Sequence, residues 1–336
     1  MATTPNKAGE KAARAALARA LRQRVLLWAD TDKALSQLIG DALANIVKQL
    51  ASAPTDYQQW VLPRLAAGVQ QVADALQLRL ASRSNLGVGQ AWQLGLDLVD
   101  HSLEAASQAE WAAGLVPELG VTAAPLGGLG TPSGAQLRAL QTVNTHQIAG
   151  ATADMVNQVN RQLGQVVLGA RTPHQAMQEV AKVLPDRTKN QVRGIVTTNL
   201  ATAYNSASFQ ALKAQAARDP KLKKQWRRSG KLHSRWNHDL ADGQVQAVDD
   251  PFVLVAAHKG EGATVKLMHP ADPAAPVGEV IHCGCVALPW KEGWKMVTPG
   301  AKAFSVAEMK ARQEAQARRD GKRLPARSKG AKPAKR

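Results

Sequence analysis

Apolar side chains recur at helical spacing through most of the first 218 residues, and after Trp226 that rhythm stops. This change of period constrains the fold more than any other feature of the chain. Leu17, Leu21, Val25, Trp28, Leu35, Leu38, Leu43, Ile46 and Leu50 fall near helical spacing. Pro54 breaks the run, and Thr55 with Gln58 predicts a capping box in which Thr55 is the N-cap. A second amphipathic stretch is expected from about Tyr57 to Leu80, with Pro63 in its first turns. Asn85 is expected to cap a third, which carries Trp92, Leu96, Val99, Leu103 and Trp111. The tryptophans read as core anchors or partner-facing residues, so 1–113 is taken as a helical partner-binding region.

The segment 114–134 is rich in Gly and Pro and cannot continue a helix, which makes it a linker. Helical spacing returns at Ser133. Thr172, Pro173 and Gln175 form a start signal: a capping threonine, a proline suited to the first helical position, and a glutamine that completes the box. Pro185 is expected to stop that helix and Asp186 to cap the next, which runs to about Arg218 before Asp219 and Pro220. Short segments follow at 245–248, 252–255, 264–267 and 277–281, punctuated by Gly and Pro, and read as strands and loops. The expected class is α+β. A mainly helical N-terminal region leads into a small C-terminal α+β domain within 135–300. A basic tail over 301–336 is helical from Ser305 and frays near Leu324.

No run of about twenty apolar residues is free of charge, so no membrane span is expected. The N-terminus lacks the compact apolar core of a secretion signal. Two cysteines separated by one residue are not a disulfide framework, which fits synthesis in a reducing cytoplasm. The formal net charge is +17. From Lys302 to Arg336, twelve Lys/Arg face three acids, which supplies nine of those charges. A second basic run, 218–235, holds eight Lys/Arg against Asp219. Clustering of this kind points to a polyanion, bound through phosphates and without sequence preference. Arg227, Arg228, Lys322, Arg323, Arg327 and Lys329 are the candidate nucleic-acid contacts. Neither helix-turn-helix nor zinc-finger spacing is present, which disfavours a sequence-specific DNA reader.

Five of the eight histidines, His233, His238, His258, His269 and His282, lie just ahead of or within the segment closed by Cys283 and Cys285. Asp239, Asp242 and Asp272 lie there too. Three readings compete. His233, His238, His282, Cys283 and Cys285 could hold zinc, since thiolate and imidazole suit that ion, although one residue between cysteines departs from the usual knuckle. His238 could act as a general base beside Arg235 as a phosphate clamp, the constellation of a nuclease. Or the histidines bond backbone carbonyls and the cysteines act as small buried apolar groups that settle a loop-rich domain.

Over about 168–290 the order of elements resembles the C-terminal domain of phage Mu F-like minor head proteins, the head morphogenesis family. The resemblance rests on Trp226, a Lys/His/Arg-rich run ending in Arg235 and His238, Asp242 with Gly243, Phe252, Pro270 with Asp272, and the closing His282, Cys283 and Cys285. The preceding helix, Arg193 to Asn205, is similar as well. Asn199 stands where the family usually has Glu, and His282 and Gly284 stand where it has Asn and Arg. Lys231 and His233 stand near positions that often hold Asp and Arg. The resemblance implies a structural component of a tailed-phage virion, made in the host cytoplasm. It would associate with portal and capsid proteins during procapsid assembly and contact DNA non-specifically. Loss of acidic positions fits a structural role better than an enzymatic one.

Overall fold

The computed structural model describes residues 7–52, 62–114, 132–182, 184–229, 235–256 and 263–294, with Ser305, Ala307, Glu308, Ala311 and Glu314. The class is α+β, as the change of period predicts. Helix α1 (Lys7–Ala51) and helix α2 (Leu62–Ala112) run antiparallel, so that Gly9 meets Glu110, Thr31 meets Gly87 and Gln49 meets Gly68. Their buried positions repeat every eleven residues: Leu17, Ile39 and Leu50 share a track with the half-buried Trp28, and Val69, Leu80, Ala91 and Ser102 share another. Eleven residues make three turns, so one face stays inward along both helices without the left-handed coiling a heptad would impose.

Helices α3 (Pro132–Val167) and α5 (Leu184–Ala216) close over α2, and the short α4 (Pro173–Lys182) bridges them. The helices on either side of 114–134 share one hydrophobic core, which continues into the strands. Where α2 passes α5, a Cβ on Gly95 would lie 2.2 Å from the Tyr204 carbonyl oxygen.

Strands β1 (Lys223–Arg227), β2 (Val245–Ala247) and β5 (Val286–Trp290) form an antiparallel sheet in the order β2-β1-β5. Strands β3 (Phe252–Val255) and β4 (Thr264–Leu267) make a separate antiparallel pair. Helix α6 (Trp236–Leu240) lies between β1 and β2, and the single turn α7 (Val277–Val280) precedes β5. Among the described residues no helix is long and apolar enough to cross a membrane.

The Thr172 box forms as expected: the Thr172 amide donates to Gln175 Oε1 at 3.0 Å, and the Gln175 amide donates to Thr172 Oγ1 at 3.2 Å. Three expectations are corrected. Asn85 caps nothing, because α2 runs through it; its side chain instead joins a polar seam between helices, donating to Thr145 Oγ1 and accepting from Asn144 Nδ2. Helix α4 ends at Lys182, just ahead of Pro185, but Asp186 is no cap: Pro185 and Asp186 both lie inside the first turn of α5, where a missing amide hydrogen is harmless and an acid is favoured. Residues 277–281 form a turn of helix and an extended residue, not a strand. Asn199, the position where the resembled family has Glu, belongs to the same polar seam: its Nδ2 donates to Asn144 Oδ1 and Gln147 Oε1. The expected Thr55 box and nearly all of the basic tail lie outside the described residues.

Candidate functional site

The densest chemistry gathers where α5, β1, α6 and the segment leading into β5 meet. Strand β1 sets Trp226 in the core, and its indole Nε1 donates to the His238 carbonyl at 3.1 Å while its ring meets the imidazole edge-on. That bond fixes the short helix α6, so the His238 side chain points inward. On the opposite wall the chain leaves α7, and Ile281 accepts a hydrogen bond from the Arg235 guanidinium. His282 then takes a left-handed conformation, with φ of 55°. This reversal aims Cys283 and Cys285 back toward His238. Helix α5 holds the turn from below: Asn205 Nδ2 donates to the Cys285 carbonyl at 3.2 Å, and the His282 amide donates to Thr198 Oγ1 at 3.2 Å. Arg24 reaches across from α1 to donate to the Gly284 carbonyl at 2.7 Å.

His238 Nδ1 lies 3.6 Å from Cys283 Sγ and 3.7 Å from Cys285 Sγ. Its other ring nitrogen, Nε2, lies 2.8 Å from Glu279 Oε2, which also accepts from Asn237 Nδ2 at 3.0 Å. All of these groups are buried, His238 at 1% exposure and each cysteine at 2%. The electrostatics follow from that enclosure. A hydrogen bond from Cys285 carries the Cys283 thiol well below its usual pKa against the effect of burial, and the neighbouring imidazole helps. The same bond, with burial, pushes Cys285 well above. Burial alone would lower the His238 pKa, but the Cys283 thiolate and Glu279 outweigh it and the net shift is upward.

The sequence-level candidates therefore divide. His238, Cys283 and Cys285 come together, over sequence gaps of more than forty residues. The His282 ring lies away from them and packs over Gly194 of α5. His233 lies outside the described residues, as do Lys322, Arg323, Arg327 and Lys329. A general-base role needs a ring nitrogen that solvent or substrate can reach, whereas both nitrogens of His238 face inward. Arg235 braces Ile281, and the Arg228 guanidinium sits 3.5 Å from Asp242 and 3.9 Å from Asp239. Arg228 thus pairs with two acids of the fold while its side chain stays partly exposed. Arg227, at the end of β1, is half-buried.

Three residues that matter here are not singled out by the sequence reading above. Glu279 and Asn237 orient the imidazole, yet each is an ordinary polar residue in a polar stretch. Lys224 sits in a basic run but is fully buried; its Nζ donates to the Val248 and Met268 carbonyls at 2.7 Å each and lies 5.1 Å from the centre of the Phe252 ring. Alternation along β1, which places Lys224 and Trp226 on one face, is the pattern that could have found it. Asp272 accepts from the Met268 and Ala274 amides and so shapes the turn after β4. No family model matches the chain, and no curated protein or solved structure matches it either.

Proposed function

We propose that the chain is a minor head protein of a tailed phage. In this reading it is a structural component that joins the portal or capsid interior during procapsid assembly and contacts packaged DNA. The observation that carries the reading is the burial of most of the motif on which the resemblance rests, His282 and Arg235 excepted. Trp226, His238, Phe252, Cys283 and Cys285 are each at most 2% exposed, and Asp272 is 8% exposed. A set placed in this way builds a domain; a set that turned over a polymer would open to solvent. The large positive charge supports the DNA contact, because it supplies phosphate affinity without base readout. Mass spectrometry of phage particles purified from cells that encode the chain tests the reading. The chain is expected in assembled heads alongside portal and capsid proteins. Its absence from purified particles, or DNA hydrolysis lost on His238→Ala with binding retained, would overturn it.

A further inference from the structure

We propose that His238, Cys283 and Cys285 form a structural zinc centre, with His238 ligating through Nδ1 and Glu279 acting as the residue that positions the imidazole. The inference stands on side-chain geometry and is independent of the phage-head reading. In a tetrahedral site with Zn–N of about 2.0 Å and Zn–S of about 2.3 Å, nitrogen and sulfur lie roughly 3.5 Å apart. The two observed separations are 3.6 and 3.7 Å, and all three donor atoms fall within 4.8 Å of one another. Both sulfurs thus flank Nδ1 at nearly equal distance, on the side an ion shared by all three would occupy.

Hydrogen bonding by itself accounts for the arrangement less well. A carboxylate can only accept, so Nε2–H donates to Glu279, and the neutral ring then carries its lone pair on Nδ1, the atom that faces both sulfurs. A proton placed on Nδ1 instead could serve one sulfur well but not two. A cation serves both thiolates and the imidazole together. The carboxylate–imidazole pair is also the usual outer partner of a zinc-bound histidine, since it sets the tautomer and makes the ring a better ligand. Asn237 holds that carboxylate in turn, donating to the same oxygen. The ligand-bearing turn is fixed in advance by Arg24 and Asn205. Two thiolates with an imidazole at tetrahedral spacing select zinc over hard cations. The chain holds no third cysteine, so the fourth ligand is nitrogen or oxygen.

The full-length chain, purified without chelators, provides the test, because its only thiols are the two in question. Metal analysis should find one zinc per chain. Titration with an organomercurial should release that zinc as both thiols are consumed. X-ray absorption at the zinc edge should count two sulfurs and two lighter ligands. Glu279→Gln should weaken zinc affinity by about 10–100-fold while leaving the stoichiometry at one. Metal-free protein after growth in zinc, another metal in its place, or zinc retained once both thiols are blocked would overturn the site. Unchanged affinity in Glu279→Gln would overturn the positioning role.

Discussion

Lys224 shows how far a single residue can depart from its neighbourhood in the sequence. It belongs to a run that reads as phosphate-binding, yet its ammonium is enclosed by two carbonyls and two aromatic rings. Burial lowers its pKa to about 8. Lys224→Met leaves both carbonyls without a donor, and urea unfolding at pH 7 should show a loss of about 2 kcal/mol or more. The pH dependence has a definite sign. Between about pH 8 and the unfolded value of 10.5, the unfolded chain holds a proton that the folded one has lost. The contribution of Lys224 to stability therefore rises with pH across that window, and the variant lacks the gain. The difference between the two proteins should widen from pH 7.5 to pH 10; a constant difference would mean that Lys224 titrates normally.

At the scale of elements, the helices are held by close approach as much as by apolar burial. Gly95 lets α2 sit against the backbone of α5 at Tyr204. In an exposed helix, Gly→Ala stabilises by about 1 kcal/mol. Here the added methyl meets a carbonyl oxygen at 2.2 Å and Ala207 Cβ at 2.9 Å, neither of which is the end of a flexible chain. Overpacking of this kind costs about 1–3 kcal/mol, so Gly95→Ala should lower the unfolding midpoint, as thermal melting would show. The same reversal at Gly150, where nothing lies within 4 Å, should be neutral or stabilising. Beside this contact the Ser84, Asn85, Asn144 and Asn199 seam sets the register, since a slip of one turn would leave buried amides unpaired.

For the whole molecule, charge is the property that acts at long range. The segment 302–336 carries nine of the seventeen net positive charges. Under the proposed reading, deleting it should weaken binding to duplex DNA of any sequence. It should also flatten the dependence of log affinity on log salt, because fewer counterions are released. Fluorescence anisotropy at several salt concentrations measures both. An unchanged slope would place the DNA contact elsewhere on the chain.

Much of the architecture is local and was therefore legible. The helical spacing of Leu17 to Leu50, the Thr172 and Gln175 box, and strands β3 and β4 each follow from a few adjacent residues whose side-chain period or hydrogen bonds do not depend on distant chain. The class followed from the same signals, as did the grouping of His and Cys in one stretch. Other features had no local cause. Asn85 looked like a cap because nothing near it reveals that α3 supplies Thr145 and Asn144 as partners. Residues 277–281 looked like a strand because their apolar spacing suits either form, and the turn is fixed by what Glu279 reaches. A shared site for His238, Cys283 and Cys285 was one reading open to the sequence; that these three meet while the adjacent His282 turns away onto α5 was decided by tertiary structure. The Trp226 bond to the His238 carbonyl, the positive φ of His282, and the grip of Asn205 and Arg24 on the cysteine turn aim those side chains, and each joins residues far apart in sequence.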